Sequence, residues 1–427
     1  EFHLVFWFFH MNNTSKVDSH ISTELNPGRV SEADIVVGIY SRDNSDEMGY
    51  SVYKAAGGLT RYYPDLKGVI VNLDSCSEDD TREVFLASPS DVPKIYVSTP
   101  PEARLRKHSF FNLVEIAHRL KAKAIVTFEA STATLKKAWL PRLLEPILER
   151  GACFTSPLYS RQHFDLPVTH LLSYPLFRTL FGRRILNPNL GDAAFSGSLN
   201  EVFFNTAEWP SEDSFFSIEL ATAMLAVKHG PVYQSFMGDP RVGKQRLLVD
   251  TSLGEQFYEI LHSFYELMVL YPEFWTKSGH SRPTPVIGTD LKPEILPPRE
   301  LACSNETFLE HIRKSAVEHD ALWRQCFPGH LKLLSDLQNN SLDNLEVPAN
   351  EWALLIYAGA ARFKKLGPEN GKAVIRALIP PFFVRLINFK KLISSVPSGQ
   401  MRALMEDESA VFEKLKPKLL EAWNSVS

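Results

Sequence analysis

Four cysteines, Cys76, Cys153, Cys303 and Cys326, are scattered through 427 residues, and no two of them form a Cys-x-x-Cys pair. That scarcity argues against a zinc ribbon or a disulfide framework and fits a reducing, cytoplasmic compartment. Long apolar runs are missing as well. The opening stretch EFHLVFWFFH is only ten residues long, short of the roughly 20 needed to span a bilayer. It also lacks the basic start and small-residue cleavage site of a signal peptide. Because a polar run follows Met11, that methionine is expected to be the natural start and the preceding residues an upstream extension. Neither sign of charge dominates: 46 Lys and Arg face 50 Asp and Glu, a formal charge of -4. Such a balance offers no electrostatic footprint for nucleic acid or an anionic membrane surface. GDPRVGK lacks the GxxxxGK[ST] spacing of a phosphate loop. No Gly-rich loop follows the first strand in YSRDNSDE, which argues against a nucleotidyltransferase.

What the chain does contain is 44% hydrophobic residues, enough for one large core or two unequal ones. After a polar leader the pattern alternates. ADIVVGIYS, LKGVIVNLDS, PKIYVSTP and AKAIVTFEA read as strands, separated by the helical stretches EMGYSVYKAAGGLTRYY, SEDDTREVFLAS and SFFNLVEIAHRLK. Alternation of this kind predicts an α/β fold: a mostly parallel sheet flanked by helices, with ligands at the carboxyl ends of its strands. The expected functional loops are therefore 41–44, 74–77, 99–107 and 129–132.

Beyond residue 151 the strands shorten, the helix SFFSIELATAMLAVKHG stands out, and TKSGHSRPTPVIGTDLKPEILPPRE reads as a Pro-rich linker or extended arm. The remainder is helical. The expected organisation is a disordered or extended leader (1–30), an α/β domain (31–270), a linker (271–300) and a helical region (301–427). Pro380-Pro381 should break the helical run VIRALIPPFFVRLI.

At the tip of the second strand, Asp74 precedes the turn SCSEDDT, where Ser77 and Asp80 are expected to cap the next helix. The fourth strand ends in Glu129, followed by Ala130 and Ser131. Arg241, Lys244 and Arg246 crowd one loop, an arrangement suited to a diphosphate or to plain solvation. Glu219 lies on a mostly apolar helical stretch.

IVVGIYSRDN, VIVNLDSCSEDDT, the Lys in RLRKHSFFNLVEIA and VTFEAS, in that order, resemble the nucleotide half of GT-A glycosyltransferases. More narrowly, the order is similar to that of glucosyl-phosphoglycerate and mannosylglycerate synthases, retaining enzymes that move a hexose from a nucleotide sugar to a glycerate-type acceptor. NPNLGDAAFSGSL, FFSIELATAML and ALIPPFFVRLINF look like that group's acceptor loop, Glu-bearing helix and helical tail. The resemblance implies a GT-A-like, Rossmann-like domain followed by a C-terminal helical region.

Carried over by position, Ser41 and Asp43 would line the nucleoside pocket and Asp74 would hold the base. Lys107 would reach the uridine or the diphosphate. Glu219 would face the sugar or acceptor, and Asn189, Gly191 and Asp192 would form the acceptor side. Two departures matter. Arg106-Lys107-His108 stands where the family has Gly-Lys-Gly, and Glu129-Ala130-Ser131 stands where it has Asp-x-Asp, whose carboxylates hold a divalent metal. The family's His ligand has no counterpart in FMGDPRVGKQRLLVD. Cations in its place, Arg241, Lys244 and Arg246, would stabilise a departing diphosphate as a metal does. The implied donor is a UDP- or GDP-hexose, with Mg or Mn doubtful.

The expected activity is retaining hexosyl transfer to a small glycerate-type acceptor, giving glucosylglycerate- or mannosylglycerate-like compatible solutes. The alternative is a degenerate relative that binds a nucleotide sugar or a partner without turnover. The expected partners are small molecules. The helical tail is read as either a homodimer element or a lid.

Overall fold

The computed structural model describes residues 19–160, 166–206, 209, 217–242, 250–292, 305–339, 344–394, 396 and 400–426. In the first half, β1 (Thr23–Leu25), β2 (Ile35–Ser41), β3 (Gly68–Asp74), β4 (Lys94–Ser98) and β5 (Ala124–Glu129) are joined by α1 (Ser45–Tyr62), α2 (Thr81–Ala87) and α3 (Arg106–Arg119). Then come α4 (Trp139–Glu149), β6 (Phe154–Leu158), α5 (Tyr174–Phe181), β7 (Arg183–Arg184), β8 (Ala193–Ser196), α6 (Gly197–Asn205), α7 (Ile218–His229) and β9 (Val232–Phe236). Next are α8 (Asp250–Leu270), α9 (Pro272–Trp275), β10 (Arg282–Pro283) and β11 (Val286–Ile287). The helical remainder is α10 (Asn305–Glu318), α11 (Asp320–Cys326), α12 (Leu331–Asn339), α13 (Ala349–Ala377), α14 (Ile379–Ser394) and α15 (Met401–Asn424).

The expected mostly parallel sheet flanked by helices is present. Its nine strands run in the order β1-β4-β3-β2-β5-β8-β6-β9-β11. β4, β3, β2 and β5 are mutually parallel, as are β6, β9 and β11. β8 runs against both β5 and β6 and joins the two parallel blocks. Every residue of β2 is buried, as a parallel strand covered on both faces requires. Ile35, Val37 and Ile39 point to one apolar layer, with Met48, Val52 and Trp139. Val36 and Tyr40 point to the other, which continues through Leu113 and Phe177 to Trp352 and Phe382 of the C-terminal helices.

Several elements differ from expectation for local reasons. α2 starts at Thr81, not at Ser77, because the Asp74 carboxylate takes both the backbone N–H of Ser77 (3.0 Å) and its hydroxyl (2.6 Å). Nor does Asp80 supply a side-chain cap. The Pro-rich arm contributes β10, paired with β7, and β11, which extends the main sheet beside β9. Within the expected leader, β1 pairs antiparallel with β4. Residues 1–18, including Met11, lie outside the described residues. As expected, the run VIRALIPPFFVRLI is broken at its prolines: α13 ends at Ala377 and α14 opens at Ile379 with Pro380 and Pro381 in its first turn. Among the described residues no helix is long and apolar enough to cross a membrane.

The C-terminal helices are bolted to the sheet half by polar contacts as well as apolar ones. Trp352 of α13 donates its indole N–H to the Leu171 carbonyl at 2.8 Å. Arg178 of α5, 2% exposed, bridges Glu406 (2.7 Å) and Glu413 (2.5 Å) of α15. Burial opposes its charge, and those two carboxylates with Tyr174 outweigh the burial, so its pKa is raised. Trp352 is 1% exposed. Trp352→Ala is therefore expected to cost about 3–5 kcal/mol through the cavity left behind, measured as a lower urea midpoint with an unchanged m-value.

Candidate functional site

The direction of β8 decides what meets the strand tips. Because it runs antiparallel to β5, pairing Ala193 with Thr127, the loop before β8 arrives at the carboxyl end of β5. Thr127 fixes that loop by donating its hydroxyl to the Gly191 carbonyl at 2.8 Å and accepting the Ala193 N–H at 3.2 Å. Asp192 is thereby placed, fully buried, beside Glu129. Its Oδ1 accepts the Glu129 N–H at 3.2 Å. Its Oδ2 accepts the Tyr159 hydroxyl at 2.7 Å and Nε of Arg241 at 2.5 Å.

Arg241 comes from the loop after β9. Gly238 turns there with φ +72°, a conformation that glycine adopts without strain. Asp239 anchors the loop to Lys136 at 2.6 Å and to the Trp139 indole at 3.0 Å. Ala133 and Val242 pair at 2.8 Å through backbone atoms. Burial works against the charge on Arg241, but Asp192 outweighs it through both its charge and its hydrogen bond, so the guanidinium pKa is raised.

Arg106, the first residue of α3, enters from the other side. Its Nη2 lies 2.7 Å from Glu129 Oε1 and its Nε 3.2 Å from Glu219 Oε1. Its guanidinium lies over the Tyr40 ring, 3.2 Å from the centroid. Desolvation lowers its pKa, but the charges of Glu129, Glu219 and Asp192 with the Tyr40 hydroxyl outweigh it and raise the pKa overall. Burial in turn pushes the Tyr40 phenol well above its ordinary value. Glu219, in the first turn of α7, also accepts the Ser217 hydroxyl at 3.2 Å. A Cβ on Gly191 would fall 2.5 Å from Arg106 Nη2 and 2.7 Å from Glu129 Oε1. A side chain there would push the ends of Arg106 and Glu129 apart. A small void of about 20 Å³ lies beside the cluster, between Tyr40, Gly191 and Glu219 and the apolar side chains of Phe110, Phe154 and Phe195.

The structure thus gathers five of the residues expected from sequence, Glu129, Glu219, Gly191, Asp192 and Arg241, into one cluster. Ser41, Asp43 and Asp74 form a second group at the tips of β2 and β3. There Asp74 is 1% exposed and accepts the Tyr96 hydroxyl at 2.5 Å in addition to its two bonds from Ser77. Ser41 donates to Asn72 Oδ1 at 2.9 Å. Asp43, at φ +52°, accepts the Glu78 N–H at 2.8 Å. Lys107 is buried in the first turn of α3. Asn189 lies in the loop before β8, its Oδ1 buried and without a partner among the described residues. Lys244 and Arg246 lie outside the described residues.

The residues that sequence reasoning passed over are Arg106, Tyr40, Tyr159 and Thr127. Arg106 carried a signal, since it falls in the 99–107 loop at a strand tip. The other three read as ordinary strand residues.

These groups do not fit a divalent metal. Such an ion needs about six hard oxygen ligands, and here each of Glu129, Asp192 and Glu219 is already engaged by a guanidinium. Among the described residues no group of three or more His, Cys, Asp or Glu side chains is placed to hold a metal ion.

No family model matches the chain, and no curated protein matches it. Solved structures do resemble it. Glucosyl-3-phosphoglycerate synthase from Mycobacterium tuberculosis, with Mn2+, UDP and glucosyl-3-phosphoglycerate, is 18% identical, with 56% of this chain and 79% of that one covered at a TM-score of 0.42. The same enzyme with Mn2+, UDP and phosphoglyceric acid is 19% identical, covering 56% and 78% at 0.42. A further mycobacterial protein is 17% identical, covering 56% and 75% at 0.40.

Two outcomes follow from the charge arrangement. Arg241→Met strands the buried Asp192 and is expected to cost about 3–5 kcal/mol in urea unfolding, with Asp192→Asn added to it recovering at least half. At the α1–α2 junction, Asp79 accepts the N–H groups of Ser45 (2.9 Å) and Thr81 (3.0 Å). Partial burial raises its pKa, and the bonds from Thr81 and Ser45 together overcome that and bring it down to about 2. A depressed carboxylate stabilises the fold above its unfolded pKa and loses that contribution as pH falls through the folded one. Asp79→Asn should therefore be less stable than wild type at pH 7, the gap closing between about pH 4 and pH 2 in thermal melts.

Proposed function

We propose that the chain is a retaining hexosyltransferase that moves a sugar from a UDP- or GDP-hexose to a small glycerate-type acceptor without a divalent metal. The observation that carries this reading is the placement of Arg106, over the Tyr40 ring and between Glu129 and Glu219, at the carboxyl ends of parallel strands. In α/β sheets that edge is where ligands bind.

A departing nucleoside diphosphate gains negative charge, and pre-positioned guanidinium groups stabilise it without reorganising at the moment of transfer. Arg106 takes that role, with Arg241 on the far side of Asp192. Lys107, Lys244 and Arg246 are the further cations of the proposal. Glu219, held by Arg106 and Ser217, accepts hydrogen bonds from sugar hydroxyls and is not the nucleophile. Retention then comes from leaving and attacking groups on the same face. Asn189, Gly191 and Asp192 form the acceptor side. Ser41, Asp43 and Asp74 shape the nucleoside side. In this reading residues 31–270 form the catalytic domain, 271–300 an arm, and 301–427 a helical region that acts as lid or homodimer element in a cytoplasmic enzyme.

A second reading is favoured by one specific feature. The carboxylates of Glu129, Asp192 and Glu219 already occupy both guanidiniums, so the same site suits a protein that binds a nucleotide sugar or partner without turnover.

The deciding assay offers D-glycerate and 3-phosphoglycerate with UDP-, GDP- and ADP-hexoses, in excess chelator and with added Mg2+ or Mn2+. Equal product under both conditions, with the anomeric configuration of the donor kept, is expected. Arg106→Ala should then lower kcat at least 100-fold, about 2.7 kcal/mol of transition-state stabilisation. Strict metal dependence would overturn the metal-free mechanism. Tight binding of one nucleotide with no product would establish the second reading.

A further inference from the structure

A cavity of about 500 Å³ lies apart from the Arg106 cluster, at the carboxyl ends of β6 and β9 and under the N-terminal turns of α15. Its volume is in the range of sites for organic ligands, and its walls are mostly apolar, as such sites are. Leu158, Leu186, Phe236, Val286 and Met405 supply that surface.

Two polar side chains are buried behind this apolar wall. Asn187 is 4% exposed and Thr284 6%, and Asn187 Oδ1 and Thr284 Oγ1 have no hydrogen-bond partner among the described residues. Buried oxygens of that kind are costly unless something donates to them.

The cavity also carries uncompensated positive charge. Glu406 is already taken by the Tyr174 hydroxyl at 2.5 Å and by Arg178 at 2.7 Å. It lies 3.8 Å from Arg184, whose closer partner is the neutral Ser281 hydroxyl at 3.0 Å. Arg402 lines the mouth and makes no ion pair among the described residues. The N-terminus of α15 adds its dipole with the same sign.

We propose that this cavity binds an amphipathic organic anion, its charged head between Arg184 and Arg402 and its apolar body against Leu158, Phe236 and Met405. A bare three-carbon acid is too small for it. At ~30 Å³ per water the space equals about seventeen waters, and such an acid fills less than half. The cavity adjoins the Arg241 cluster through Tyr159, which lines it and donates to Asp192 at 2.7 Å.

The test is calorimetric titration of the full chain with 4-methylumbelliferyl β-D-glucuronide, a hydroxylated anion with an aromatic body, in the absence of any nucleotide sugar. One saturable site is expected. The uncharged glucoside of the same aglycone and D-glycerate should each bind at least tenfold more weakly. Val286→Phe, which fills the cavity, and Arg402→Ala, at an exposed position, should each weaken the glucuronide at least tenfold with an unchanged melting temperature. Absence of binding, either variant binding like wild type, or the glucoside or glycerate binding as tightly as the glucuronide would overturn the proposal. Because no donor sugar is present, such a failure is separate from failure of the transfer assay.

Discussion

The carboxylate of Asp192 is the point on which the site is built. A fully buried charge survives only when paired and hydrogen-bonded, and this one draws its partners from three separate parts of the chain. Tyr159 follows β6, Arg241 follows β9, and the Glu129 N–H closes β5. Those three elements cannot shift relative to one another without leaving a charge in the core. The reversed strand β8 brings Asp192 there, so the junction between the two parallel blocks and the electrostatic centre are the same feature.

Around that centre Arg241 pairs with Asp192, while Arg106 lies between two anions and an aromatic ring. Arg106 is held by Glu129, Glu219 and Tyr40 at once. A guanidinium with so many partners has little rotational freedom left to lose when a ligand arrives, which is the physical meaning of preorganisation. The same network also means that an anionic ligand has to compete with the carboxylates for the guanidiniums. That competition separates turnover from simple binding at this site.

Much of the α/β architecture was legible in the chain because alternating apolar strands and amphipathic helices are local signals. IVVGIYS and GVIVNLD could hardly be anything but buried parallel strands. Glu129, Glu219 and Arg241 stood out locally, as an acid at a strand end, a lone Glu on an apolar helix and one of three cations in a loop, whereas Gly191 and Asp192 were reached only through the family resemblance. Arg106 was not singled out, since its meaning depends on a stacking partner 66 positions earlier and two carboxylates later in the chain. The Ser77 cap failed for a related reason, because the Asp74 carboxylate competes for the same hydroxyl. The extension of the main sheet by β11 was hidden by the Pro and Gly around it, whose local preference is for loops and whose pairing with β9 is set only by the tertiary fold.

Arg178 has its own consequence for how the molecule is made. Its two carboxylate partners lie 228 and 235 positions further along the chain. On a ribosome, at about 5–20 residues per second, both carboxylates emerge ten seconds or more after Arg178. During that interval α5 cannot settle in its final environment at low cost. The packing of α5 is therefore completed only after the last helix of the chain has emerged.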